Sequence, residues 1–279
     1  MLNFYTHNPA WIASSFLALS DLGSRKAIDK KRSTFNQRAI LGIGVGSTWN
    51  VGKYGVSKRT GSTDQLREAI ESITELFLGK SVTIRTDAFV IEGVALSKAR
   101  KKIPIYVGTS SPKGLEMAGE IADGLILTDR IPSDVEESMK HVTLGLAYYS
   151  RKRRDLEVVN SVVVSIDPDR EKAMRAVKLT CAYLVSWLRN DRAEVHSIDL
   201  AVKNRISEYI RVGEEQAAAK LVDDKMINLL TATGNVNDCI ERCNEYLSQD
   251  VNQLAFCEPF GPKQKESITM LAKNVIPKL

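Results

Sequence analysis

Ile103–Thr128, IPIYVGTSSPKGLEMAGEIADGLILT, is the stretch whose reading decides the fold. Ile103–Val107 reads as a short buried strand and Gly108–Ser111 as a small polar loop. An amphipathic helix starts near Pro112, and Ala122-Asp123-Gly124 leads into a second apolar strand, Leu125–Leu127. A strand–helix–strand unit of this kind crosses over right-handedly and makes its two strands parallel. Gly108, Thr109, Ser110 and Ser111 carry small side chains between a strand's carboxyl end and a helix's amino end. Free N–H groups and the helix dipole at such a place attract an anion, for example a cofactor phosphate. An ordinary βα turn has the same composition, so the loop by itself leaves both readings open.

Upstream, Ala39–Val45 (AILGIGV) is a continuous apolar run too short for a helix and bounded by Gly44 and Gly46, which predicts a buried strand. Gly42, Gly44 and Gly46 imitate a dinucleotide fingerprint, but the G-x-G-x-x-G spacing fails at Ser47-Thr48-Trp49. Glycines inside a strand let a ring system or another backbone pack closely. Asn50, just beyond, has an amide that can both donate to and accept from a heteroaromatic edge, or can equally hold a local turn.

Composition excludes several classes. The 279 residues are 43% hydrophobic and 26% charged, which suits an α/β protein. The net charge of +5 is modest. The basic clusters at Arg25–Arg38 and Arg151–Arg154 lack interleaved aromatics or a nucleic-acid-binding motif, and read as solvated loop or helix ends. Cys181, Cys239, Cys243 and Cys257 show no metal-like spacing with His7, His141 or His196; Cys239 and Cys243 fall on one helix face, packed inside. Reduced thiols and a cytoplasmic setting follow, and no stretch reads as a signal peptide or membrane span.

Along the chain, Ser62–Leu78 is an amphipathic helix with Ser62 and Gln65 as a capping box, and Val82–Ile91 a hairpin turning near Thr86-Asp87. Pro132-Ser133 opens a helix running to about Ser150, Leu156–Ile166 is a β-branched strand, and Asp167-Pro168 opens the next helix. Residues 190–233 read as helical without a clear strand. Asn235–Leu247 is a helix, Gln253–Cys257 a strand and Pro262–Val275 the last helix. Five core strands joined by helices, with small polar loops at their carboxyl ends, predict a TIM-type (β/α) barrel that is incomplete.

Taken together, ALSDLGSR…AILGIGVGSTWN, PIYVGTSSPKGLEMAGEIADGLIL and the C-terminal TATGNVNDCIERCNEYLSQDVNQLAFCEPFGPKQKESITMLAKNVIP resemble the bacterial-luciferase-like superfamily. Within it they most resemble the coenzyme F420-dependent methylenetetrahydromethanopterin reductase branch. The resemblance covers nearly the whole chain, with Lys26–Asn36 looking like an insertion. Asn3–Trp11 (NFYTHNPAW) resembles a family stretch that follows the third barrel strand, with His7 and Asn8 where the family favours arginine and histidine. This implies residues 1–279 as a single luciferase-like domain shortened at its N-terminus and lacking the first strands.

The resemblance further implies an oxidoreductase passing a hydride from reduced coenzyme F420 to a pterin-type C1 carrier. Asn50 matches the asparagine that meets the deazaflavin or flavin ring, Gly108, Thr109, Ser110, Ser111 and Lys113 match the phosphate-end loop, and Thr128 matches the tip of the next strand. A homo-oligomer is expected. The alternatives are an FMN-dependent monooxygenase on the same scaffold and a catalytically silent paralogue serving as a binding or subunit-interface protein. No residue stands out as an acid–base catalyst; Glu120 and Asp123 read as structural or solvated carboxylates near a helix end.

Overall fold

Apolar runs ended by glycine become short parallel strands in this protein. The computed structural model describes residues 40–45, 62–85, 90–96 and 103–279. These belong to two compact units, one of residues up to Ile126 with Ser138–Glu157, the other of Leu127–Glu137 with Val158–Leu279. The expectations for residues 3–11, 25–38 and 46–50, Asn50 included, and for the hairpin turn at 86–87 lie outside the described residues.

In the first unit, Leu41–Gly44 forms β1 and Thr63–Phe77 forms α1. The capping box of α1 is present: Ser62 Oγ accepts from Gln65 N at 3.1 Å, and Gln65 Oε1 accepts from Ser62 N at 2.9 Å. The hairpin pairs β2 (Val82–Arg85) with β3 (Val90–Val94) antiparallel. Then come β4 (Ile105–Gly108), α2 (Pro112–Ile121) and β5 (Gly124–Leu127). β4 pairs in parallel with β1 and with β5, so Ile43, Val107 and Leu125 share one row across the sheet, all buried. Each such side chain contributes about 1.5–3 kcal/mol on leaving water.

Glycine decides how closely the layers approach. The Tyr106 ring lies over Gly124, where an added β-carbon would stand 2.6 Å from it, and its hydroxyl donates to Glu157. Helix α3 (Pro132–Tyr148) crosses α2 with backbones almost touching. A β-carbon on Gly145 would fall 1.9 Å from Glu116 O, and one on Gly119 would fall 2.4 Å from Val142 O.

The basic stretch at Arg151–Arg154 departs from its sequence reading. The Arg151 guanidinium, instead of being solvated, donates to Gly119 O, Ala122 O and Asp155 O at 2.7–2.8 Å. It thereby covers the carbonyls that the end of α2 leaves without intrahelical partners.

The second unit centres on β6 (Glu157–Ile166). After it come α4 (Arg170–Trp187), α5 (Asn190–Val195), α6 (Leu200–Val212), α7 (Glu215–Lys220) and α8 (Asp224–Leu230). β7 (Ala232–Gly234), α9 (Val236–Leu247), β8 (Gln253–Phe260) and α10 (Gln264–Met270) complete the order. Both β7 and β8 pair with β6 in parallel. Val163, Met174, Val177, Cys181, Ile206 and Ile227 belong to one buried cluster. Cys239 and Cys243 are buried on one face of α9, and burial pushes both thiols up to about 12.

Two expectations change here. β7 interrupts the segment read as lacking a strand; three residues are too few for a period to show, and the strand exists through its register with Val164–Ile166. Helix α4 starts at Arg170, not at Asp167-Pro168. Asp169 is the cap, with Oδ1 accepting from Glu171 N at 3.0 Å, while Asp167 Oδ1 accepts from Asp169 N and tightens the turn before it.

Candidate functional site

In the first unit the expected phosphate-end loop stands at the carboxyl end of β4 and the amino end of α2. Ser111 is the N-cap: its Oγ accepts from Gly114 N at 3.1 Å, and Pro112 occupies the first turn, where a missing N–H costs nothing. Ser110, Ser111 and Lys113 are exposed, and Thr109 half-buried. A β-carbon on Gly114 would meet Thr109 Oγ1 at 2.0 Å and Ser111 Oγ at 2.9 Å, so the loop's hydroxyls fold down over the first helical turn. Gly114 is a residue that reading the loop alone missed. The signal was there, a poor helix former three residues after the cap.

Gly108 ends β4 and begins the loop. Among the described residues, a β-carbon there would meet only Ile43 O, at 3.8 Å, an ordinary contact. A glycine at this point offers its backbone to a ligand, and the small exposed hydroxyls beside a helix amino end fit a phosphate. Lys113 Nζ lies 2.8 Å from the Asp64 carboxylate in an exposed pair, which water and salt weaken and which leaves the ammonium able to turn to another anion. Glu120 is paired with Arg67, and Asp123 Oδ2 accepts from Ile105 N at 2.9 Å, so both carboxylates are structural, as read from sequence.

In the second unit, Thr128 follows β5 directly and is exposed. Its neighbour Asp129 went unnoticed in the sequence. Asp129 has φ 51°, left-handed for a non-glycine residue, a conformation that costs free energy and gathers at functional sites. Its N–H donates to Ser161 Oγ at 2.9 Å, and the same Ser161 hydroxyl donates to Asp129 Oδ1 at 2.8 Å. Burial pushes the Asp129 carboxyl above its ordinary range, with the Ser161 bond opposing. Arg130 is pulled below the usual guanidinium value by burial and by the Arg192 charge, and its carbonyl accepts from Asn160 Nδ2 at 3.0 Å. Asp134 sits in a buried group with Arg192 and His196. Among the described residues there is no metal-ligating cluster, and no helix is long and apolar enough to cross a membrane.

Residues 1–253 match the family of luciferase-like monooxygenases. The 5,10-methylenetetrahydromethanopterin reductase of Archaeoglobus fulgidus is 32% identical over 246 residues, 87% of this chain and 74% of that protein. The reductase of the same name from Methanolobus tindarius is 30% identical over 275 residues, 98% of this chain and 80% of that one. Among solved structures, the coenzyme F420 dependent tetrahydromethanopterin reductase from Methanopyrus kandleri superposes with a TM-score of 0.79 at 28% identity, over 86% of this chain and 74% of its own. The α/β fold is thus of the TIM-type luciferase-like class, and the chain belongs to the luciferase-like monooxygenase family.

Proposed function

We propose that this protein is a coenzyme F420-dependent oxidoreductase of the methylenetetrahydromethanopterin reductase type, acting on a pterin-type C1 carrier. The observation that carries the reading is a loop of small residues, Gly108–Ser111, at a helix amino end, in a chain 32% identical to a reductase of that name. Coenzyme F420, when bound, supplies the hydride; the protein's part is to hold, orient and tune. Gly108, Thr109, Ser110 and Ser111 would hold the phosphate end through backbone N–H groups and hydroxyls, with Lys113 as counter-charge. The ring end falls to Asn50 and Thr128. The family match from residue 1 to 253 supports treating both units as one luciferase-like domain. A cytoplasmic homo-oligomer belongs to the same reading; exposed Leu144 and Tyr148 on α3 are apolar surface that a second copy would cover.

The test is anaerobic mixing of the protein with reduced coenzyme F420 and methylenetetrahydromethanopterin, following deazaflavin oxidation and the methyl product together. Both should rise in equal amounts. Tight FMN binding with no affinity for coenzyme F420 would move the protein to the monooxygenase alternative, and binding without turnover would favour the silent one. Light scattering reads the oligomer.

A further inference from the structure

We propose that the cleft between the start of α4 and the turn after β8 is a second anion subsite, taking a phosphate or carboxylate group of a bound ligand away from the loop at Gly108–Ser111.

Its place follows from the strand directions. β6 and β8 run parallel, with Ser165 level with Phe260, so both end on the side of the sheet where barrel enzymes bind their ligands. The chain leaves β6 through Asp167–Asp169 into α4, and leaves β8 through Gly261-Pro262-Lys263 into α10. Between these exits lies a cleft of about 460 Å³, lined by Lys172, Arg175 and Ala176 of α4 and by Gly261 and Pro262. That volume falls in the range of small-ligand sites.

One wall is fixed by packing. Gly261 has φ 145°, which favours glycine, and a β-carbon on it would stand 2.4 Å from Ile166 O and 2.3 Å from Ser267 Oγ. The buried Ser267 hydroxyl donates to the same Ile166 O at 3.0 Å. The turn is thus pressed against the last carbonyl of β6 and has its shape before any ligand arrives, which spares the cost of ordering it on binding.

The lining carries two cations and no carboxylate. Arg175 is exposed, and its guanidinium has no carboxylate partner among the described residues. Lys172 Nζ lies 3.6 Å from Asp169 Oδ2, a long pair between exposed groups that holds the ammonium only weakly. The carboxylates of neighbouring elements are engaged elsewhere: Asp238 with Arg170 at 3.2 Å, Glu266 with Lys263 at 3.3 Å, and Glu258 as acceptor from Gln264 Nε2 at 3.4 Å. Glu171, the other acid in the first turn of α4, is outside the lining. Residues three apart on a helix share a face, so Lys172 and Arg175 reach one ligand group together. The planar fork of Arg175 can take two oxygens of a phosphate or carboxylate, and Lys172 adds a point charge beside it. Ala176 and Pro262 leave an apolar surface for the stem that carries the group.

The reductase reading above supplies only the names of the ligands to try. With the whole chain, inorganic pyrophosphate should shift the amide resonances of Lys172, Arg175, Ala176 and Gly261. Arg175→Gln should weaken that binding about tenfold and Arg175→Lys less, because the charge stays and the fork is lost. The double variant Lys172→Gln/Arg175→Gln should abolish it with the melting temperature unchanged, since both side chains are exposed. Shifts confined to Gly108–Gly114, or equal affinity in the double variant, overturn the proposal. Calorimetric titration of coenzyme F420 and of tetrahydromethanopterin into parent and double variant then identifies the source: the ligand whose affinity falls about tenfold carries the group. Both affinities unchanged overturn the proposal and leave the reductase reading intact. A parent that binds neither ligand brings down the reductase reading, and the pyrophosphate shifts alone then decide the cleft.

Discussion

Gly44 and Gly108 face each other across the parallel β1–β4 pair, and a β-carbon on Gly44 would stand 2.7 Å from Gly108 O. The relation is one-sided, since among the described residues a β-carbon on Gly108 would meet nothing nearer than Ile43 O at 3.8 Å. One glycine lets two strands approach; the other is not required for that pairing.

Opposite outcomes follow for the two alanine variants. Gly44→Ala forces the strands apart and should cost about 1–3 kcal/mol in chemical denaturation. Gly108→Ala should leave stability unchanged or raise it by about 0.5–1 kcal/mol, since it only restricts the unfolded chain. Its cost should appear in coenzyme F420 affinity. Equal destabilisation by the two, with cofactor affinity untouched in Gly108→Ala, would refute the division of roles.

Gly114 and Ser111 separate cap from ligand in the same way. Ser111→Ala removes the bond to Gly114 N and should cost about 1 kcal/mol of stability. Gly114→Ala improves helix propensity by up to about 1 kcal/mol, yet its methyl group must displace the Thr109 hydroxyl lying over it. Near-native stability with weaker cofactor binding by calorimetric titration is the expected result for Gly114→Ala. A variant that binds coenzyme F420 as the parent does would detach Thr109 from the phosphate end.

Much of the scaffold was legible because its signals are local. The β4–α2–β5 unit is written as apolar runs, a Ser-Pro helix start and an Ala-Asp-Gly exit, and the Ser62–Gln65 box needs only four residues. What escaped depends on distant partners. β7 is three residues held by β6, and Arg151 looks like surface charge until the carbonyls of Gly119 and Ala122 are in place. Asp129 becomes conspicuous only through its φ and through Ser161, 32 residues later. The loop between β4 and α2 could be placed from sequence, whereas the Asp129–Ser161 pair could not.

The buried group at Asp134 predicts a pH effect on folding. Arg192 and His196 both reach Asp134, which is 5% exposed, with His196 Nε2 at 3.2 Å from Oδ1. Burial first, and the Arg192 charge second, hold the His196 imidazole below its ordinary value. The unfolded chain then binds the proton more readily, so stability is full above about pH 6.5 and falls as pH drops below it. Melting temperatures of His196→Gln should lose this acid-side slope while Asp134→Ala, which strands a buried guanidinium, should cost about 3–5 kcal/mol at every pH. An unchanged slope in His196→Gln would assign the acid sensitivity elsewhere.

Asp129 should work in the reverse direction. Its carboxyl is pushed above the unfolded value by burial, so the folded protein binds the proton more tightly. For such an acid, stability declines as pH rises from the unfolded pKa, about 3.9, through the folded one, and stays lower above it. Once charged, the carboxylate therefore weakens the fold that holds it, on top of the left-handed backbone. Asp129→Asn removes the charge but keeps the shape, and asparagine tolerates the left-handed region. Its melting temperature should exceed that of the parent once the parent's carboxyl is charged and converge with it in acid. If Asp129→Asn instead melts lower at every pH, the carboxylate is a structural partner of Ser161 and its strained backbone serves the loop alone.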